Sequence, residues 1–459
     1  MRRVSILIGL PKEMAPGERR VAMVPRALAA LQKSGVELLV EPGAGEESGY
    51  PDAEYVEKGA RLAANRDELY AVAEVLLYVR APGSWQDGGS GAAAADLARL
   101  RPGQVLIGFS DPLSLPAVSR ELAGRGVTAF SMELMPRITR AQSMDALSSM
   151  ATLSGYKAVL LAADALPRMF PMLMTAAGTV TPARVLIIGA GVAGLFAAAT
   201  ARRLGAVVTA YDVRPASREQ VESVGAKFLS LPLESSGSED RGGYAREMDA
   251  DFYRRQRELM TGAVKEHDVV ITTAAVPGKR APVLVTRDMV AGMAPGSVIV
   301  DLAAERGGNC ELTRPGETVV ESQVTILGPL NLPATVPYHA SQLYARNVAS
   351  FLVHLLRDGR PAAAGAAGAA TVAAAAAAPA PRPGLAIDTS DEITRETLVT
   401  RGGEVVHDRV RQLLGLAPAA ASGDGQGEAP PPAAAGAGQG EAPPAAAAAG
   451  PGAGARAPS

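Results

Sequence analysis

Short apolar runs alternate with helical stretches along two separate regions of the chain. In the first region, residues 36–40, 75–79 and 105–109 read as strands, as does the opening run that breaks at Pro11. Residues 25–33 and 114–124 read as helices, the latter with Ser114 as its cap and a glycine stop. The second region begins at residues 184–188, and 207–211, 269–272 and 298–302 supply further strands. Such alternation predicts parallel sheets covered on both faces by helices. Between the two series, residues 141–165 form one long helical stretch, a hinge connection. Residues 339–356 read as an amphipathic helix that packs back on the first domain.

Composition then changes the picture at the C-terminal end. Residues 361–384 and 417–459 are almost wholly Ala, Gly and Pro. Such segments bury too little surface to offset the entropy of ordering, so disorder is expected there. Residues 385–416 keep Val399, Val405, Val406, Val410 and Leu413, and should dock on the main body as a strand pair and short helix. The division expected is 1–140 with 330–360 as the first domain, 141–329 as the second, 361–384 as a linker, 385–416 as the docking segment and 417–459 as a tail.

The 459 residues leave room for two or three domains. A formal charge of −2 argues against nucleic acid or an anionic membrane surface as partner. The single cysteine, Cys310, excludes an internal disulfide and reads as a buried spectator. The N-terminal apolar run is too short for a signal peptide. The most apolar stretch, 158–178, carries Asp164, Pro167, Arg168 and Pro171, so a soluble chain is expected, any membrane link coming through a partner.

The densest chemistry lies at Gly189-Ala190-Gly191-Val192-Ala193-Gly194, after a strand and before a helix. Glycines at this spacing allow a tight turn, close approach of backbone to a pyrophosphate, and tight helix–strand packing. The helix N-terminus then offers unpaired N–H groups to phosphates. Asp212 ends the next strand, with Val213 and Arg214 behind it. A carboxylate there accepts ribose hydroxyls and repels a 2′-phosphate, which favours NAD(H), while Arg214 could loosen that preference. Thr273, Ala274 and Gly278 follow a later strand, in a loop that would lie across the nucleotide. Asp301 and Glu305 follow the next one, either in the cleft or as caps of local backbone.

Residues 137–145 read Arg-Ile-Thr-Arg-Ala-Gln-Ser-Met-Asp. Arg137, Gln142 and Asp145, followed by Ser148, resemble the Arg–Gln–Asp loop of the NAD(H)-binding alpha subunit of proton-translocating NAD(P) transhydrogenases. The Pro11-Lys12-Glu13 and Gly17–Pro25 segments are similar to an opening motif which that family shares with alanine dehydrogenases. Residues 236–248, with Tyr244, look like its mobile loop over bound nucleotide. The resemblance covers roughly 4–360. It implies an α/β fold of two Rossmann-like, doubly wound parallel-sheet domains separated by a nucleotide cleft, with the disordered Ala/Pro/Gly-rich segments appended. It further implies NAD(H) bound on this chain and NADP(H) on a partner beta subunit, a membrane-spanning subunit, a homodimer, and a peripheral place on the cytoplasmic face of the bacterial inner membrane. Arg137 and Asp145 would lie near the nicotinamide, with Gln142 reaching toward the second nucleotide. Hydride transfer between two nicotinamides needs rings held in contact with water excluded, and no proton donor.

Two other readings stay open on the sequence. An alanine dehydrogenase-like enzyme needs a base of near-neutral pKa, and the four histidines, His267, His339, His354 and His407, all lie outside the first domain. Arg80 stands where that family's substrate lysine would fall. A non-catalytic NAD-binding protein would have the glycine turn without the Arg–Gln–Asp loop.

Overall fold

Strand pairing gathers the chain around two sheets. The computed structural model describes residues 5–32, 34–85, 91–233, 248–275, 278–356 and 385–418. Tyr244, residues 361–384 and nearly all of 417–459 lie outside them.

The first lobe takes β1 (Ile6–Leu10), β2 (Val36–Val40), β3 (Arg61–Leu62), β4 (Val75–Arg80), β5 (Val105–Phe109) and β6 (Thr128–Ser131). Between them lie α1 (Leu28–Gln32), α2 (Asp52–Glu57), α3 (Arg66–Val72), α4 (Ala92–Arg99) and α5 (Pro116–Gly124). A long helix, α6 (Ala146–Ala165), and a hairpin, β7 (Leu173–Thr175) with β8 (Gly178–Val180), lead into the second lobe. That lobe holds β9 (Arg184–Ile188), β10 (Val207–Tyr211), β11 (Lys227–Phe228), β12 (Val269–Thr272), β13 (Val298–Asp301), β14 (Thr318–Glu321) and β15 (Val324–Leu327). Its helices are α7 (Val192–Arg203), α8 (Ser217–Ser223), α9 (Ala250–Glu266) and α10 (Arg287–Ala291). The chain then returns through α11 (Pro337–Leu356) to α12 (Glu392–Thr397), β16 (Leu398–Arg401), β17 (Glu404–Val405) and α13 (Asp408–Leu413).

The spatial order in the first sheet is β17-β16-β6-β5-β4-β1-β2-β3, and in the second β11-β10-β9-β12-β13-β15-β14. Six parallel strands in each follow the 3-2-1-4-5-6 order of a doubly wound Rossmann-like sheet, with the order reversing at β1/β4 and at β9/β12. Neither sheet is wholly parallel. β16 and β17 extend one edge in antiparallel fashion and β14 does so for the other. A parallel neighbour needs a long crossover, whereas β14 reaches β15 through a two-residue turn at Ser322 and Gln323, both at positive φ.

Three helical expectations shift locally. α5 starts at Pro116, whose fixed φ suits a first helical position, and Ser114 does not cap it. The 25–33 stretch is a 3₁₀ turn, Pro25–Ala27, followed by α1. The hinge stretch splits into a 3₁₀ turn, Thr139–Met144, and α6, because Asp145 caps α6 through the Ser148 N–H at 2.9 Å.

α6 joins the two cores. Ala146 and Met150 pack in the first with α11 residues such as Tyr344 and Phe351, while Ala158, Val159 and Ala162 pack in the second beneath β9 and α7. It is long and apolar enough to cross a membrane by composition, and 33% of its apolar window is buried inside the fold. Cys310 is buried, and desolvation pushes its thiol up to about 11, out of the reactive range.

Candidate functional site

The two strand-order reversals face each other across a cleft with two contiguous cavities, which share Leu147, Ala151, Ala193, Thr273 and Ala275 in their walls. The first cavity, about 280 Å³, is lined by Gly189, Gly191, Val192, Ala193, Asp212, Val213, Arg214, Thr273 and Ala274. Arg137 and Ser148 complete one wall.

Each glycine of the turn has a separate physical reason. Gly189 sits at φ 102°, and a Cβ there would lie 2.5 Å from the Thr273 hydroxyl, which donates to the Gly189 carbonyl at 2.9 Å. At Gly194 a Cβ would lie 1.8 Å from the Gly189 carbonyl oxygen, so only glycine lets α7 rise so close to its strand. Gly191 differs: nothing lies within 4 Å of where its Cβ would stand. It is the N-cap of α7 and caps with no side chain, so the first-turn N–H groups are left for a ligand. Open space bounded by helix N–H donors fits a pyrophosphate.

Asp212 is buried, and both its oxygens are engaged. Oδ2 accepts the Ala190 N–H at 2.7 Å and Arg214 Nη2 at 2.9 Å; Oδ1 accepts the Arg214 N–H and Nε, each at 2.9 Å. The turn, the carboxylate and the arginine are therefore one bonded unit. Opposite stands a wall absent from the sequence expectations: Tyr211, Phe252, Tyr253 and Gln256. Gln256 donates from Nε2 to the Tyr211 hydroxyl at 2.9 Å, while its buried Oε1 has no partner among the described residues. The aromatic rings of Tyr211, Phe252 and Tyr253 give this side of the cavity a flat apolar face, which fits a nucleotide base. The only trace of this wall in the sequence is the apolar stripe of α9.

The remaining expected residues separate. Asp145 is spent on α6, accepting the Ser148 N–H and, at 2.5 Å, its hydroxyl. Gln142 lies exposed on the 3₁₀ turn, outside both cavity walls. Gly278, at φ 74°, packs toward Leu113 of the first lobe, 3.0 Å from where its Cβ would stand. Asp301 caps local backbone: its carboxylate accepts the N–H groups of Ala303, Asn309 and Cys310 and the hydroxyls of Thr272 and Thr313.

The second cavity, about 410 Å³, is charged. Arg20 bonds Glu18 through Nε at 2.7 Å and Nη2 at 2.6 Å, and Arg80 lies 3.6 Å from the same carboxylate. Burial alone would raise the Glu18 carboxyl, but Arg20 outweighs it and holds Glu18 below its ordinary value. Glu13, buried beneath, accepts the Val79 and Arg80 N–H groups, and desolvation, aided by Glu18, pushes it up to about 8. Glu133, in the wall, is pushed up to about 7, chiefly by desolvation. A near-neutral group is therefore present in the cleft as a carboxyl tuned by the fold, where histidines alone suggested none. Ion pairs bridge the lobes here, Arg80 to Glu305 at 3.7 Å and Arg306 to Asp111 at 3.3 Å, with Arg306 also donating to the Ser114 hydroxyl at 2.7 Å. Among the described residues no cluster of His, Cys, Asp or Glu could hold a metal ion.

Two family models match the chain: alanine dehydrogenase/PNT, N-terminal domain, over residues 9–154, and alanine dehydrogenase/PNT, C-terminal domain, over 158–380. The chain is 44% identical over 402 residues to an NAD(P) transhydrogenase alpha-subunit chain of Rhodospirillum rubrum, covering 87% of this chain and 97% of that one. It is 32% identical over 370 residues to the alanine dehydrogenase of Mycobacterium tuberculosis, covering 78% and 89%. Among solved structures it superposes on a transhydrogenase from Sinorhizobium meliloti with a TM-score of 0.73 at 41% identity, covering 87% of this chain and 100% of that one.

Proposed function

The chain belongs to the alanine dehydrogenase/PNT family, and from that premise we propose that it is the NAD(H)-binding subunit of a proton-translocating NAD(P) transhydrogenase. NADH supplies the hydride, and NADP⁺ held on a partner beta subunit receives it. Proton translocation then belongs to a membrane-spanning partner, with this chain peripheral on the cytoplasmic face of a bacterial inner membrane.

The observation that carries this reading is the 137–148 segment. Arg137 and Ser148 stand in the wall of the dinucleotide cavity, while Gln142 between them faces outward, within reach of a second protein. On this reading the glycine turn and the α7 N-terminus hold pyrophosphate, and Asp212 with Arg214 governs the adenosine ribose. Thr273 and Ala274 fix the floor, with Ala274 clamped by Asn309 through N–H to Oδ1 at 2.9 Å and Nδ2 to carbonyl at 2.8 Å. Arg137 in the cavity wall and Asp145, which also caps α6, lie toward the nicotinamide end, and Gln142 brings the two rings together. These residues bind, orient and exclude water, which is all that direct transfer between nicotinamides demands.

A homodimer is part of the proposal. The β7–β8 hairpin is exposed at every strand position, with Met172, Leu173, Met174 and Val180 in water. A lone two-stranded hairpin is marginal by itself, and this one suits contact with a second copy.

The test mixes the purified chain with an NADP(H)-loaded soluble domain of a transhydrogenase and follows reduction of an NAD analogue of shifted absorbance. Transfer that requires both proteins supports the assignment; its absence overturns it. Gln142→Asn, one methylene shorter, should slow transfer about tenfold or more while NADH affinity stays within about twofold. Equal losses in both would make Gln142 a plain binding contact. A second reading, an amino-acid oxidoreductase, draws on Glu133 in the cleft. Against it, Arg20 and Arg80 already share Glu18 and leave little positive charge for a substrate carboxylate. NADH formation by the chain alone on alanine would favour it.

A further inference from the structure

The turn that carries Gln142 is braced by a part of the chain far from it in sequence. Residues 139–144 are fixed underneath by Ala141 and Met144, both buried in the core of the first lobe. Gln142 and Ser143 face outward. After Gln142 the brace comes from α11, where Asn347 Nδ2 donates to the Ser143 carbonyl at 2.9 Å. Before Gln142 it is Arg140, whose Nη2 donates to Asp391 Oδ1 at 2.5 Å across 251 positions of sequence.

Asp391 is itself held firmly. It is the N-cap of α12, and its Oδ2 accepts the Thr394 N–H at 2.9 Å. The same oxygen meets His354 Nε2 of α11, also at 2.9 Å. The carboxylate thus pins the start of the docking segment to α11 and keeps Oδ1 for Arg140. Burial would raise its pKa, but the Thr394 N–H, Arg140 and His354 outweigh burial and hold it down at about 2, so it is ionised at neutral pH. Its side chain is 17% exposed, against 56% for Arg140. The anchored partner is the aspartate, and the tethered one is the arginine.

A pair with one partner so exposed adds little to stability. A turn whose exposed glutamine must reach a second nucleotide gains more from it, because the bond is made two residues away and charge-assisted bonds hold geometry well. We propose that Asp391 is a positioning residue for hydride transfer, which through Arg140 holds the 139–144 turn so that Gln142 stands where the two rings meet. The inference rests on the transhydrogenase reading above. It gives the 385–416 segment a role in the reaction, although none of its residues lines either cavity of the cleft.

The experiment is a double-mutant cycle on the full chain, with Asp391→Asn, Arg140→Gln and both together. Asn keeps an oxygen for the Thr394 N–H, so α12 stays capped, and removes the charge that holds the guanidinium. Transfer is followed with a saturating NADP(H)-loaded soluble transhydrogenase domain, so that the rate reports placement rather than docking. Each single change should slow transfer about three- to tenfold, and the double change should be no slower than either. Arg140→Lys, which keeps the charge, should lose less than Arg140→Gln. NADH affinity by fluorescence and the thermal midpoint should match the unaltered chain, a split that a purely structural role would not give. Full transfer by Arg140→Gln, an exposed change that leaves α12 intact, overturns the proposal whatever Asp391→Asn does, and leaves the transhydrogenase reading standing. Additive losses overturn it too, since Arg140 would then act independently of Asp391. Failure of the unaltered chain to pass hydride removes both.

Discussion

Asp212 and Arg214 form a closed unit in which the carboxylate accepts four bonds, three of them from Arg214 and one from Ala190. An ionised carboxylate has about four acceptor sites, so a ribose hydroxyl must displace a guanidinium bond to bind. Arg214 is thus a competitor for the site rather than a ready phosphate binder. Arg214→Gln should tighten NADH about 2- to 10-fold, the worth of one net hydrogen bond, with no gain for NADPH because Asp212 still repels the 2′-phosphate. Calorimetric titration of both nucleotides decides it; a weaker NADH would mean that Arg214 pre-organises the carboxylate. Glu13 makes a different prediction. Its folded value of about 8 lies above the ordinary 4.5, so the native state holds the proton more tightly than the unfolded chain. Stability from this group is full below about 4.5, falls as pH rises toward 8, and is level beyond. The slope is at most about 1.4 kcal/mol per pH unit. Glu13→Gln, which keeps an acceptor for only one of the Val79 and Arg80 N–H groups, should lower stability throughout but remove that slope in urea melts between about pH 5 and 8. The sequence marked Glu13 only as part of a motif, because burial beside Glu18 depends on folding.

At the scale of elements, the site depends on how α6 meets α7. A Cβ at Gly155 would lie 2.1 Å from the Ala193 carbonyl oxygen, which is backbone and cannot turn aside. Gly155→Ala should cost about 1–3 kcal/mol by thermal melting and weaken NADH binding about tenfold by fluorescence, since α7 must shift with the glycine turn it carries. A loss of stability without loss of affinity would show that α6 yields instead. The β9–turn–α7 unit was legible from local signals alone: an apolar strand, glycines at fixed spacing and a helix. Gly155 was not legible, because nothing in its own neighbourhood marks a helix crossing. The same limit explains Ser114, which looked like a cap and instead accepts from Arg306 across the cleft. It explains Asp145 as well, where a carboxylate at a suggestive spacing turns out to cap the helix that starts beside it.

For the molecule as a whole, cleft closure is set by few contacts between lobes. Glu305 and Arg306, neighbours in one turn, reach Arg80 at the end of β4 and Asp111 in the loop after β5. These pairs are partly exposed, so each is worth about 1 kcal/mol or less and is weakened by salt. Arg306→Ala should raise the open population up to about fivefold, visible as a larger radius in small-angle scattering, with slower hydride transfer. The same change from added salt on the unaltered chain would agree; a variant indistinguishable from it would place closure elsewhere, in the α6 connection.

Local pattern by itself determined the βα alternation, the glycine turn with its terminal Asp212, and the return of the 339–356 helix, since strand and helix periods and turn chemistry are properties of adjacent residues. Tertiary structure decided the rest. It joined Leu398 of β16 to Phe130 of β6, remote from it along the chain, drew the Tyr211–Gln256 wall over the cavity, and set Glu13 and Glu133 near neutrality. Those outcomes depend on desolvation and on which distant backbone comes into contact, and a linear chain carries neither until its two sheets close on α6.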